Sequence, residues 1–115
     1  MEARLLATAT RLTLRVGGRS YHVELVDGES FSLGRDTTSD LVLARPLASR
    51  HHARIVCRRQ SLLLVDESSN GTFMKLEDET VVFLHRRSRR LWGTGWLSFG
   101  EPLTHDSAVK FEFTE

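Results

Sequence analysis

A chain of 115 residues, 40% hydrophobic and 27% charged, fits one domain with one core, and at that size no disulfide or metal is needed to hold it. Its formal net charge of +1 excludes a globally basic protein, and no run approaches the ~18 apolar residues of a membrane span. The opening MEARLLATATRL lacks the long apolar region of a secretory signal, and the lone Cys57 can form no intramolecular disulfide, so a reducing, cytoplasmic setting and no membrane partner are expected.

Period two dominates the chain. Residues 1–10 are read as an N-terminal extension without fixed structure, and 11–115 as a single domain. Leu12, Leu14 and Val16 alternate with Thr13 and Arg15. Gly17-Gly18 is a hairpin signal, and Tyr21, Val23 and Leu25 alternate after it. Asp27-Gly28 is a second turn signal, followed by Phe31 and Leu33, then by the short pair Leu41 and Leu43. Ala53, Ile55 and Cys57 alternate, so Cys57 is expected in the core. SLLLVD (61–66) is a continuous apolar run of strand length. Val81 to Leu84, Leu97 with Phe99, and Val109, Phe111 and Phe113 complete the series. Trp92 and Trp96 fall in WGTGWLSFG, a Gly-kinked turn entering a strand, with both expected to be partly buried. Pro46 and Pro102 lie between strands. No segment holds a 3.6-residue period over a helix length, so an all-β sandwich or barrel is expected.

The positive charge is uneven. Six arginines lie between Arg35 and Arg59 against Asp36 and Asp40, and HRRSRR (85–90) is a second basic run. The preference for Arg suits oxyanion recognition, because the guanidinium fork fits phosphate; codon usage accounts for it equally well.

Three loops hold more than filler: LGRD (33–36), PLASRHH (46–52) and DESSNGTF (66–73). In a sandwich such loops converge at one end. Together they offer the guanidiniums of Arg35 and Arg50, the hydroxyls of Ser49, Ser68, Ser69 and Thr72, and the Asn70 amide. All are donors, an inventory that suits a dianionic ligand. Asn70-Gly71 also reads as a tight turn, and its match to a glycosylation pattern is taken as chance. The adjacent His51 and His52 make a poor metal pair, since neighbours on a strand point to opposite faces and no Cys or acid cluster completes a site. No nucleophile, base and orienter set is visible, so neither enzyme, cofactor nor metal is expected.

The order of these elements carries a resemblance. Gly34-Arg35, then SDLVL (39–43), Ser49-Arg50-His51-His52, a strand ending in Asp, Asn70-Gly71 and the late LSFG (97–100) resemble the forkhead-associated (FHA) domain family over about residues 11–113. The resemblance implies an antiparallel β-sandwich of about ten to eleven short strands whose loops at one end bind phosphothreonine peptides. It implies that Arg35, Ser49, Arg50 and Ser69 contact the phosphate and that Asn70 bonds the peptide backbone. Gly34, His52, Gly71 and Thr72 would support the site, His52 by tying loops together, while His51 faces solvent or peptide. Three departures stand out: Leu47 where some members carry a basic residue, NGTFMKLED without a second Asn-Gly, and the longer basic HRRSRR.

The expected function is a signalling module that reads phosphothreonine on a partner, a Ser/Thr kinase substrate, within or beside a longer protein. Two readings stand beside it. One is a phosphate-independent interaction or self-association domain regulating a larger, enzyme-bearing protein. The other is a polyanion or nucleic-acid binder using the basic hairpin 85–90. Low net charge, and Trp92 alone as a stacking platform near that run, weigh against nucleic acid.

Overall fold

Alternating apolar residues need a second layer to bury their inward face, and here that layer is a second sheet. The computed structural model describes residues 8–113. Within them the chain forms eleven strands and no helix. They are β1 (Thr10–Val16), β2 (Arg19–Leu25), β3 (Ser30–Gly34), β4 (Leu41–Val42), β5 (Ala53–Arg58) and β6 (Ser61–Asp66), then β7 (Thr72–Lys75), β8 (Val81–Leu84), β9 (Ser88–Leu91), β10 (Thr94–Phe99) and β11 (Val109–Phe113). One sheet runs β2-β1-β11-β10-β7-β8 and the other β4-β3-β5-β6-β9. Every pairing is antiparallel except β3 with β4, where Leu33 lies opposite Leu41 in a short parallel bridge. Most of the expected extension 1–10 lies outside the described residues; Thr10 already sits in β1, opposite Leu25.

The inward faces share one core. Leu12, Leu14, Met74, Leu97, Phe99 and Phe111 come from the six-stranded sheet, and Leu33, Ile55, Cys57, Leu62, Leu64 and Leu91 from the other. Each fully buried side chain of this kind contributes about 1.5–3 kcal/mol. Cys57 is buried, and burial pushes its thiol above the ordinary range, as suits a core residue. Trp96 is half-buried on the outer face of β10, flanked by the Lys75 and Lys110 ammoniums at 5.5 and 5.8 Å from its ring. Trp92 is 50% exposed in the turn before β10.

Two strands escape simple patterning. In β9, Arg89 lies opposite buried Leu64, so an arginine occupies an inward position. β7 has buried Thr72 and Met74, too short a pattern to stand alone.

Register places the polar loops together. Leu33 opposes Ala53, which opposes Asp66, while Ser88 opposes the neighbouring Val65. In the other sheet Phe99 opposes Thr72, which opposes Leu84. The loops after β3, before β5, between β6 and β7, between β8 and β9, and after β10 therefore share one end of the sandwich.

Candidate functional site

The site is built on backbone contacts between loops. At the end of β3, Gly34 packs so closely on the next loop that a Cβ there would overlap the Arg50 carbonyl oxygen. The Arg35 N–H donates to the Ser49 carbonyl at 3.0 Å, the Asp36 N–H to Arg50 at 3.2 Å, and the His52 N–H to Leu33 at 3.0 Å. The Arg35 side chain donates from Nε to the Ala48 carbonyl, which leaves its terminal N–H groups at the exposed surface. Arg50 and His51 are exposed beside it. Both add positive potential near Asp36, whose carboxyl is held below its ordinary value chiefly by hydrogen bonds from Thr38.

His52 ties the loops, as the resemblance implies. It is fully buried, and its Nδ1 accepts the Ser49 N–H at 3.0 Å. A backbone N–H can only donate, so the proton must sit on Nε2. Nε2 donates to the Gly71 carbonyl at 3.0 Å, with the Thr72 hydroxyl at 3.1 Å. Burial pushes the imidazole pKa below its ordinary 6.5, outweighing the opposing pull of Asp66 and the Gly71 carbonyl. The Phe99 ring meets His52 edge-on at 5.2 Å.

Beneath the loops lies a buried network centred on Asp66. Its Oδ1 accepts the hydroxyls of Ser68 (2.8 Å) and Thr72 (2.7 Å), and its Oδ2 accepts the N–H groups of Arg86 (2.8 Å) and Ser68 (3.2 Å). Burial raises the Asp66 pKa, but these bonds together outweigh it and hold the carboxyl below its ordinary value. The Ser68 hydroxyl in turn accepts the Gly71 N–H at 2.7 Å. Gly71 itself has φ +84°, and a Cβ there would strike the Phe83 ring.

At the surface, the Ser49 hydroxyl accepts the Ser69 N–H at 3.0 Å, leaving its own proton to donate outward. The Asn70 amide donates to the Leu47 carbonyl at 3.1 Å. Glu67 and Glu101, the loop glutamates, are held by Arg54 (3.1 Å) and Arg45 (2.7 Å). The structure thus brings together Arg35, Ser49, Arg50, Ser69 and Asn70 around the junction of three loops. Gly34, His52, Gly71 and Thr72 lie in or directly beneath it.

The donor inventory read from sequence needs one correction. Ser68 and Thr72 are fully buried with their hydroxyls committed to Asp66, so neither can face a ligand. The sequence reading also missed Asp66 as the hub, although the run SLLLVD ending in an acid pointed to it, and missed Arg86. Arg86 is at φ 57° and donates from Nε to the Ser68 carbonyl at 3.3 Å, at the margin of the same loops. Among the described residues no cluster of three or more His, Cys, Asp or Glu could hold a metal, and no helix is long and apolar enough to cross a membrane.

The likeness to known structures is close over nearly the whole chain. FHA-1 of Rv1747 from Mycobacterium tuberculosis superposes with a TM-score of 0.71 at 23% identity, covering 94% of this chain and 100% of that one. The FHA domain of FhaA, solved with the intracellular domain of Rv3910, gives 0.64 at 26% identity, covering 88% and 99%. A chain from a study of phosphothreonine-dependent FHA domain interactions gives 0.65 at 26% identity, covering 94% and 99%. No curated protein matches the chain at a significant level. The sequence model for the FHA domain matches residues 31–88, which carry all the loops of the site except the one after β10. This protein belongs to the FHA domain family.

Proposed function

We propose that this domain reads phosphothreonine on a partner protein. The observation that carries the reading is the cluster of outward donors, Arg35, Arg50 and the Ser49 and Ser69 hydroxyls, mounted on loops locked by His52 and Asp66. A phosphothreonine carries about −1.5 to −2 charge near neutral pH, and such a donor set is complementary to it. The 26% identical chain from the study of phosphothreonine-dependent interactions lends further support.

In this reading Arg35 clamps the phosphate with its terminal N–H groups, while Ser49 and Ser69 donate hydroxyl protons and Arg50 adds charge. Asn70, with one amide N–H held by Leu47, offers its remaining N–H and its carbonyl oxygen to the peptide backbone and so sets the register. Unphosphorylated threonine gives the arginines nothing to bind, so a Ser/Thr kinase acting on the partner writes the signal that this domain reads. The module, residues 11–115, acts without cofactor or catalysis, as a regulatory element in a cytoplasmic signalling chain.

Backbone amide spectra test this directly. Titration with a degenerate phosphothreonine peptide pool is expected to shift Arg35, Ser49, Ser69, Asn70 and Gly71, and the unphosphorylated pool to leave them in place. Equal shifts with both pools would refute a phosphate-dependent reader.

A further inference from the structure

Apart from Arg86, the basic run HRRSRR has no part in the site so far described. The structure shows where it goes. His85, Arg86 and Arg87 form the loop between β8 and β9, and Ser88 and Arg90 point outward from β9, opposite Val65 and Leu63 of β6. Those residues in turn lie opposite Arg54 and Val56 of β5. The outer face of the five-stranded sheet is therefore an apolar floor of Val56, Leu63 and Val65 with arginines around it. It forms a groove of about 420 Å³.

Charge in this groove is one-sided. Arg54 is paired with Glu67 at 3.1 Å. Of the other arginines that line it, Arg58, Arg86 and Arg87 form no salt bridge among the described residues. Repulsion between clustered guanidiniums is relieved when carboxylates arrive. No aromatic side chain lines the groove, so it lacks the stacking platform that single-stranded nucleic acid uses.

The groove is continuous with the loops that hold the donor cluster. Arg86 lines it and also donates from Nε to the carbonyl of Ser68, the residue before Ser69. Its backbone is pinned in the left-handed region by the N–H bond to Asp66. From Arg54 to Arg58 the face runs about 13 Å along β5, the reach of four or five extended residues.

We propose that this face, from Arg86 to Arg58, takes an acidic, carboxylate-rich segment flanking the phosphothreonine in the same partner chain. The proposal rests on the phosphothreonine reading for its anchor. The domain would then recognise two features of one partner. The phosphate switches binding on, and the acidic flank selects which phosphorylated chain stays bound.

Calorimetry separates the two. The probes are a phosphothreonine peptide pool carrying five glutamates on its N-terminal or C-terminal side, and the same pools with five glutamines. The glutamate tail on one side is expected to tighten binding at least fivefold at low salt, and less at 0.5 M salt. The double variant Arg58→Glu, Arg87→Glu is expected to lose that gain while binding the glutamine-tailed pools as before. Equal affinity for both tails, or a gain that survives the charge reversal, would overturn the groove proposal without touching the reader. If no phosphorylated pool binds, the reader fails, and the unphosphorylated glutamate peptide decides the groove alone. Shifts of the Val56, Leu63 and Val65 amides would sustain it, and none would overturn it. Stronger shifts of the same amides with a single-stranded DNA oligonucleotide would assign the face to nucleic acid instead.

Discussion

The His52 imidazole joins two loops, donating from Nε2 to the carbonyl of Gly71, 19 residues further along the chain, at 3.0 Å while Nδ1 holds the Ser49 N–H. One neutral ring in one tautomer thus sets the spacing between Ser49 and the Ser69-Asn70 turn. The donors that face outward inherit their geometry from a residue that faces inward.

This arrangement makes stability pH-dependent with a definite sign. The pKa of His52 is lowered in the folded state, so below its ordinary 6.5 the unfolded chain binds more protons than the native one. Its contribution is fully present above about pH 6.5 and is lost as pH falls through the folded value. Asp66, also lowered, adds a second loss below its ordinary 3.8. Urea unfolding is expected to show the midpoint falling between pH 7.5 and 5. His52→Gln is expected to remove that first fall and to cost about 2–4 kcal/mol at pH 7.5, because it leaves buried partners unpaired. An unchanged midpoint across this range in the wild type would contradict the assignment.

Gly34 is required by space rather than by φ. A Cβ would overlap the Arg50 carbonyl oxygen, which is backbone and can move only by opening the contact between the loops. Gly34→Ala is expected to cost about 1–3 kcal/mol, as overpacking does. It is also expected to weaken phosphopeptide binding more than tenfold by displacing Arg35 from Ser49. A variant of wild-type stability and affinity would show that the loops do not depend on this contact.

Arg89 is a local conflict in the fold. It sits opposite core residue Leu64, and its Nε is buried with no hydrogen-bond partner. Arg89→Met keeps an unbranched apolar chain as far as the Nε position and removes the orphaned donor. It is expected to stabilise the domain by about 1 kcal/mol, or a rise of about 4 °C or more in Tm. A lower Tm would mean that the guanidinium ends stabilise the edge of the sandwich more than the buried nitrogen costs.

Much of this architecture was legible in the sequence, for physical reasons. Strands with one buried face must alternate, so Leu12-Leu14-Val16, Tyr21-Val23-Leu25 and Ala53-Ile55-Cys57 announced themselves. The order Gly34-Arg35, Ser49 to His52, Asn70-Gly71 marked the loops that meet at one end of the sandwich. What was hidden depended on tertiary contacts. Arg89 masked β9 by placing a charge at an inward position, and β7 was too short to show a period. The parallel bridge between Leu33 and Leu41 left no mark in composition. Ser68 looked like another surface donor because its sequence neighbours are polar; only the fold turns its hydroxyl to Asp66. Arg86 looked like one charge among several, and its place beside Ser68 follows from β8 and β9 belonging to different sheets.

The central claim, that loops locked by His52 present Arg35 and Ser49 to a phosphate dianion, is tested most directly by one calorimetric comparison. A phosphothreonine peptide pool and its unphosphorylated twin are titrated into the wild type and into Arg35→Ala at pH 7.5. The account predicts micromolar binding of the phosphorylated pool alone, weakened in Arg35→Ala by about 2–5 kcal/mol. Binding of both pools alike, or an Arg35→Ala variant within about threefold of wild type, would contradict it.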